Sequence, residues 1–159
     1  MNSDLTGLAA ELGLDNPSHE SLRLVFGLAC ASRVQHLLEN PRAVDCVAVL
    51  RAFVDGKADR RALDAAATEI AAIANSHRGS DSIDGTAHAA VSATYALANA
   101  LAGRALDAAG YAAYAAVYAY GGYAVTDPAA FEGEFTWQVG KLQELASLEA
   151  SRSPLQPSA

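Results

Sequence analysis

The stretch from Ala87 to Ala119 constrains the fold of this chain more than any other segment. It contains 16 alanines in 33 residues, and its tyrosines are Tyr95, Tyr111, Tyr114 and Tyr118. Alanine is the strongest helix former and loses no side-chain entropy on folding, so two alanine-rich helices can approach each other closely. We therefore expect a tightly packed pair of central helices, with the tyrosines filling the space that remains.

Length and charge narrow the possible classes of protein. A chain of 159 residues that is 52% hydrophobic can bury one core, so we expect a single domain over residues 1–150 and a disordered tail over 151–159. With 11 Lys and Arg against 18 Asp and Glu, the net charge is -7. This charge disfavours nucleic acid and anionic membranes as partners and favours a basic protein.

The sequence shows no sign of export or membrane insertion. Met1 to Leu14 contains Asp4 and Glu11 and lacks an apolar run, so it does not resemble a signal peptide, and we expect a cytoplasmic protein. Gly85 to Gly103 and Ala108 to Thr126 are uncharged and long enough to span a bilayer. Both are poor in Leu, Ile and Phe, so we interpret them as buried helices of a soluble domain.

Helix boundaries are clearly marked, and no alternation typical of β-strands is present. Apolar residues recur at spacings of three or four throughout the chain. The boundary signals are Asn16-Pro17-Ser18, Asn40-Pro41, Asp55-Gly56, Gly121-Gly122 and Thr126-Asp127-Pro128. The pattern predicts an all-α bundle of five to six helices, which the short connections place as antiparallel neighbours.

The two cysteines do not suggest a disulfide or a catalytic thiol. In a helical hairpin that turns near Asn40-Pro41, Cys30 and Cys46 would be offset by about 7 Å along the helix axes. This offset argues against a disulfide bond between them. Cys30 lies in an apolar helical setting, so we interpret it as a small buried hydrophobe.

One His/Asp cluster is a candidate metal or ligand site. A metal needs three or four converging ligands, and the cluster consists of His77, Asp81, Asp84 and His88. Loops and helix ends also collect Asp and His for capping, so we expect no metal and no cofactor. A pocket between helices near His77, Asp84, His88 and Tyr95 remains an alternative site for a small molecule.

The end of the chain carries the candidate partner surface. Tyr111, Tyr114 and Tyr118 form one stripe, which we interpret as core with the hydroxyls at its rim, whereas residues beside the Gly121-Gly122 turn should be exposed. The last helix is acidic, with Lys141 as its only lysine. The predicted surface for a basic protein comprises Tyr120, Tyr123, Asp127, Glu132, Glu134 and Trp137.

Three segments carry a family resemblance. The string from Ser21 to Glu39, Arg51-Ala-Phe-Val-Asp-Gly-Lys-Ala58 and Leu63-Asp-Ala-Ala-Ala67 are similar to an alanine-rich, all-helical family of bacterial immunity proteins from polymorphic-toxin systems. The resemblance covers about residues 19–119. This chain differs in having few histidines in its alanine-rich part and an added helix after Gly122, so no family site residue is carried over.

The sequence leaves three hypotheses open. No catalytic motif stands out, and the resemblance implies a non-enzymatic immunity-type protein that binds a toxin. The net charge and the acidic last helix add that the partner would be basic and would bind the acidic helical surface. A small-molecule binder or enzyme with the pocket between helices is the second hypothesis. The third is a structural module that forms a homodimer through its Ala/Tyr surface.

Overall fold

The computed structural model describes residues 2–77 and 86–152, without the side chains of Thr86, Ala87 and Tyr123. In these residues every regular element is helical, which confirms the all-α class. The α-helices are α1 (Ser3–Leu12), α2 (Glu20–Arg33), α3 (Pro41–Val54), α4 (Arg60–Ser76), α5 (Thr86–Leu101), α6 (Ala105–Tyr120) and α7 (Glu132–Arg152). Short 3₁₀ helices cover Pro17–His19, Gln35–Leu37, Gly122–Thr126 and Pro128–Phe131.

The predicted number of five to six helices is too low, because the described residues contain seven. Helix α1 has only ten residues, yet it is a full element that packs on α7 and buries Leu5 and Ala9. The asparagine before it fixes its start, since the Asn2 side chain accepts a hydrogen bond from the Leu5 amide at 3.2 Å.

Local capping explains where several helices begin. Asn40 accepts a hydrogen bond from the Arg42 amide at 2.9 Å, and Pro41 occupies the first helical position of α3. Asp59 accepts in the same way from the Ala62 amide at 2.9 Å and starts α4. The Thr126-Asp127-Pro128 signal works differently, because Asp127 caps the 3₁₀ helix Pro128–Phe131 and α7 begins only at Glu132.

Helices α5 and α6 form the antiparallel central pair, and alanines fill the space between them and around them. The tight packing of this pair is therefore as predicted. Helix α2 packs across both helices, α3 and α4 cover one side, and α1 and α7 cover the other. The alanines of the pair that are at most 3% exposed are Ala89, Ala90, Ala93, Ala96, Ala100, Ala105, Ala108, Ala109, Ala112, Ala113 and Ala115.

The tyrosines of α6 are not core residues, so that prediction is wrong. Tyr111 is 40% exposed, Tyr114 is 47% exposed, and Tyr118 is partly buried. Helices that meet through alanine are too close to admit a ring, so the tyrosines occupy the outer face. There the rings stack: Tyr111 lies 5.2 Å from Tyr95, and Tyr118 lies 5.3 Å from His88.

Helix α2 approaches the backbone of α5 closely at Gly27. A Cβ added at Gly27 would lie 3.1 Å from the Ala100 Cα and 3.2 Å from its Cβ. Gly27 is buried, so glycine here allows α2 to approach the backbone of α5. Phe26 and Cys30 then enter the core shared with α6 and α7, while Leu24 enters the core shared with α3 and α4.

None of the helices in residues 2–77 and 86–152 combines the length and apolar character that crossing a membrane requires.

We predict that Gly27→Ala lowers the free energy of unfolding by about 1 kcal/mol, although alanine is the better helix former. Overpacking against a fixed backbone costs about 1–3 kcal/mol, which exceeds the gain in helix propensity of roughly 1 kcal/mol. Gly7→Ala is the matched control, because a Cβ at that helical position meets no atom within 4 Å. It should raise the free energy of unfolding by about 0.5–1 kcal/mol. Urea denaturation measures both, and equal stabilisation by the two variants would contradict the close approach.

Candidate functional site

Three shallow grooves surround the start of α7. The α6 groove, of about 750 Å³, is bounded by α1, α6, the 3₁₀ segments and α7, with Tyr111 and Tyr114 in its wall. The Tyr120 groove, of about 600 Å³, is bounded by α6, the 3₁₀ segments and α7. The α1 groove, of about 490 Å³, lies between α1 and α7. We refer to the three together as the grooved face.

Every charged residue that lines the grooved face is a carboxylate. Asp107 lines the α6 groove, Asp127 and Glu134 line the Tyr120 groove, and Asp4 and Glu132 line the α1 groove. Among the described residues, no lysine, arginine or histidine lines any of the three. The face therefore has a negative potential that would attract cationic groups.

Helix ends account for the positions of these carboxylates. Asp4, Asp107 and Glu132 lie in the first turns of α1, α6 and α7, where the helix dipole favours a negative charge. Each helix N-terminus carries roughly half a positive charge. The three helix N-termini, together with the arginine that pairs with Glu134, thus compensate about half of the negative charge of the five carboxylates. The remaining charge is negative.

Arg33 fixes the position of Glu134. Its Nε donates to Glu134 Oε2 at 3.0 Å, and its Nη2 donates to Oε1 at 2.7 Å. The guanidinium carbon also lies 4.1 Å from the centre of the Trp137 ring. The hydrogen bond to Glu134 raises the pKa of Arg33 above its usual value. This cluster connects α2 to α7, so Glu134 is held rigid and Trp137 is partly buried beneath Arg33.

The six residues predicted for partner binding lie in different settings. Tyr120 is 79% exposed and lines the Tyr120 groove with Asp127 and Glu134. Glu132 is exposed on the α1 groove. Tyr123 lies in the 3₁₀ helix Gly122–Thr126, and its side chain is outside the described part of the structure.

Sequence reasoning grouped Tyr111 and Tyr114 in one stripe but assigned that stripe to the core, and it did not single out the other groove residues of α6 and α1. Asp107, Gly110, Tyr111 and Tyr114 lie at intervals of three and four, so they form one stripe on the α6 groove. That spacing places all four on one face of the helix. It could not show that the face is outside the core, because alanines surround them on all sides of the helix.

The buried Gln138 and the partly buried Asn2 form part of the α6 groove. Gln138, which is 1% exposed, donates from Nε2 to the Ala109 carbonyl at 2.8 Å and accepts from Asn2 Nδ2 at 3.1 Å. Asn2 Nδ2 also lies 3.2 Å from the Phe135 carbonyl and donates to it. Buried polar groups that are fully hydrogen-bonded favour one arrangement of the chain. Here they fix α1, α6 and α7 relative to one another at the groove.

The alternative pocket is described only in part. Asp81 and Asp84 lie outside the described residues, and His77 follows the end of α4. His88 and Tyr95 do not meet each other but stack on tyrosines of α6. Within the described residues, no group of three or more His, Cys, Asp and Glu side chains could hold a metal ion.

Both cysteines are free and buried, as expected. Burial raises the pKa of Cys30 to about 12. Burial also raises the pKa of Cys46 to about 11, and its Sγ donates to the Ala66 carbonyl at 3.6 Å. Because the thiolate is the reactive form, neither cysteine is activated as a nucleophile.

Comparison with known proteins decides the family. The model of the family described as Imm-5 like putative immunity protein matches residues 13–145. The chain belongs to this family. The resemblance seen in the sequence is therefore confirmed, and the match includes much of α7, which had looked like an addition to the family pattern. Neither the curated proteins nor the solved structures give a match.

The family match contains most of the grooved face. Asp107, Tyr120, Asp127, Glu132 and Glu134 all lie within residues 13–145, whereas α1 precedes the matched region. Membership of this family implies a protein partner such as a toxin.

We predict that both thiols resist Ellman's reagent in the folded protein. At a pH of about 8, a thiol with a pKa of about 12 is ionised on the order of one part in 10⁴, and burial also blocks access. Cys46→Ala leaves Cys30 as the only thiol. Its labelling should be at least about a thousandfold slower than in denaturing guanidinium, where a thiol with a pKa of about 8.5 is about one quarter ionised at this pH. Rapid labelling of the folded variant would show that this core opens.

Proposed function

We propose that this chain is a non-enzymatic inhibitor that neutralises a cognate protein toxin by binding it through the grooved face. Family membership supports the class of function. We choose the grooved face as the binding surface because of its charge: all five charged residues that line the grooves are carboxylates. The cytoplasmic location expected from the sequence stays a prediction.

A basic toxin surface is the partner that fits this charge. Opposite charges steer two proteins together and raise their association rate, mostly at low salt. The Debye length is about 8 Å at physiological ionic strength, so carboxylates around adjoining grooves act on the same region of a partner. The net charge of -7 for the whole chain acts in the same direction.

Two residues of the Tyr120 groove are suited to hold a partner once it arrives. Tyr120 is 79% exposed, and tyrosine buries a large area with few rotatable bonds. Glu134 is already ordered by its two hydrogen bonds from Arg33, so little further entropy is lost when a partner contacts it. Trp137 contributes indirectly, because its ring packs against the Arg33 guanidinium that binds Glu134.

The other two hypotheses lack a supporting observation. In the small-molecule hypothesis, His88 and Tyr95 would line a pocket, but the rings of Tyr118 and Tyr111 stack on them. The homodimer hypothesis requires an apolar face of alanine and tyrosine. The alanines of α5 and α6 are mainly buried within the chain, and the exposed tyrosines adjoin carboxylates.

We predict that Glu132→Lys slows association with the toxin about tenfold at low salt, because it reverses a charge on the face that steers the encounter. The partner to test is a purified cognate toxin, and stopped-flow mixing gives the rate. The same variant should weaken the salt dependence of the rate and reduce protection of cells that express the toxin.

Asp64→Lys on α4 is the matched control, because it changes the net charge equally at an exposed position outside the grooves. It should alter the rate less than about twofold. Equal slowing by both variants would mean that only net charge matters. An unchanged rate for Glu132→Lys would place the interface on a different surface.

A further inference from the structure

One stripe of α6 is open to solvent along two full turns. Asp107, Gly110, Tyr111 and Tyr114 occupy positions i, i+3, i+4 and i+7, and all four are exposed. All four line the α6 groove. The opposite side of the same helix is packed with buried alanines.

The glycine in this stripe is not required by packing. A Cβ added at Gly110 would meet no atom within 4 Å. Glycine inside a helix weakens it, because glycine loses more conformational freedom on folding than any other residue. Its effect here is to leave the backbone bare between Asp107 and Tyr114, so that an incoming group can approach the helix closely.

The rings beside this glycine are held in place yet remain accessible. Tyr95 stacks on Tyr111 at 5.2 Å and 23°. Phe131 contacts Tyr114 edge to face at 5.2 Å and 73°. Tyr111 and Tyr114 are nevertheless 40% and 47% exposed. Fixed aromatic rings with an open face attract a cation through the ring quadrupole.

The charge of the groove matches a cation as well. Asp107 is the one charged residue that lines it, and within the described residues its carboxylate has no hydrogen-bond or ion-pair partner. The rest of the lining is largely apolar and includes Leu5, Val125 and Phe135. The groove therefore offers a single negative charge, two aromatic rings and an apolar wall.

We infer that the α6 groove is a docking site for a segment of a basic protein that inserts an arginine or lysine beside an apolar side chain. The cation lies over Tyr111 and Tyr114 and pairs with Asp107, while its apolar neighbour packs against Phe131 and Phe135. This inference rests on the proposed function, because it assigns the groove to the toxin, and it specifies which chemistry the toxin must present.

The test uses two peptides and NMR of the isotopically labelled full chain. The probe is acetyl-Gly-Leu-Arg-Gly-amide, and its neutral counterpart has citrulline in place of arginine. The arginine peptide should shift the backbone amides of residues 107–114 and bind about fivefold more tightly than the citrulline peptide. Asp107→Asn should reduce this preference to less than about twofold, whereas Asp64→Asn should retain it.

A second pair of variants tests the open backbone at Gly110. Gly110→Leu fills the groove and should abolish the shifts with both peptides. Gly7→Leu is its control, since Gly7 is also an exposed helical glycine with open space around it, and it should leave binding unchanged. Leucine is a better helix former than glycine, so both variants should melt at or above the temperature of the unsubstituted chain. A loss of binding would then not be due to unfolding.

Other results would overturn the inference. These are the absence of shifts at residues 107–114 up to about 20 mM peptide, equal affinity for the two peptides, or an unchanged preference in Asp107→Asn. Shifts of the same amides with protein concentration alone would assign the groove to a second copy of the chain. If Gly110→Leu and Asp107→Asn still neutralise the toxin fully, the α6 groove is not the docking site, but the proposed inhibitor function stands. If the peptide binds but the chain gives no protection against the toxin, the groove is a binding site and the proposed inhibitor function is wrong.

Discussion

The close approach of α2 to the α5–α6 pair is the contact on which the rest of the structure depends. Gly27 lies against the backbone of Ala100, and alanine occupies most interior positions of α5 and α6, so no room is left for a tyrosine ring between these two helices. The aromatic ring buried where α2 packs on them is that of Phe26. The tyrosines of α6 are therefore on the outer face, where they stack and form a groove wall. The packing that stabilises the centre thus also creates the aromatic surface at one end.

Carboxylates in the first turn of α7 add negative charge to this surface. Asn2 and Gln138 hold α1, α6 and α7 together through hydrogen bonds, so three helix N-termini meet around one set of grooves. Carboxylates are favoured there by the helix dipole and serve stability as well as charge. At these positions the helix dipole and the proposed binding of a basic partner therefore favour the same residue type.

Short-range features could be predicted from the sequence, and long-range ones could not. The caps at Asn40 and Asp59 join atoms only two or three residues apart, so residue type and spacing were sufficient. The Arg33–Glu134 pair joins residues 101 positions apart, and no local pattern signals it. Periodicity showed that Tyr111 and Tyr114 share a face. It could not show which face, because a helix rich in alanine is apolar on every side.

Hydrogen–deuterium exchange of the chain, with and without its toxin, tests the central claim most directly. Binding through the grooved face predicts slower exchange in residues 105–114 and 122–136, with α3 and α4 unchanged. Slower exchange confined to α3 and α4, with the first turns of α6 and α7 unaffected, would show that the toxin binds elsewhere and would contradict the account.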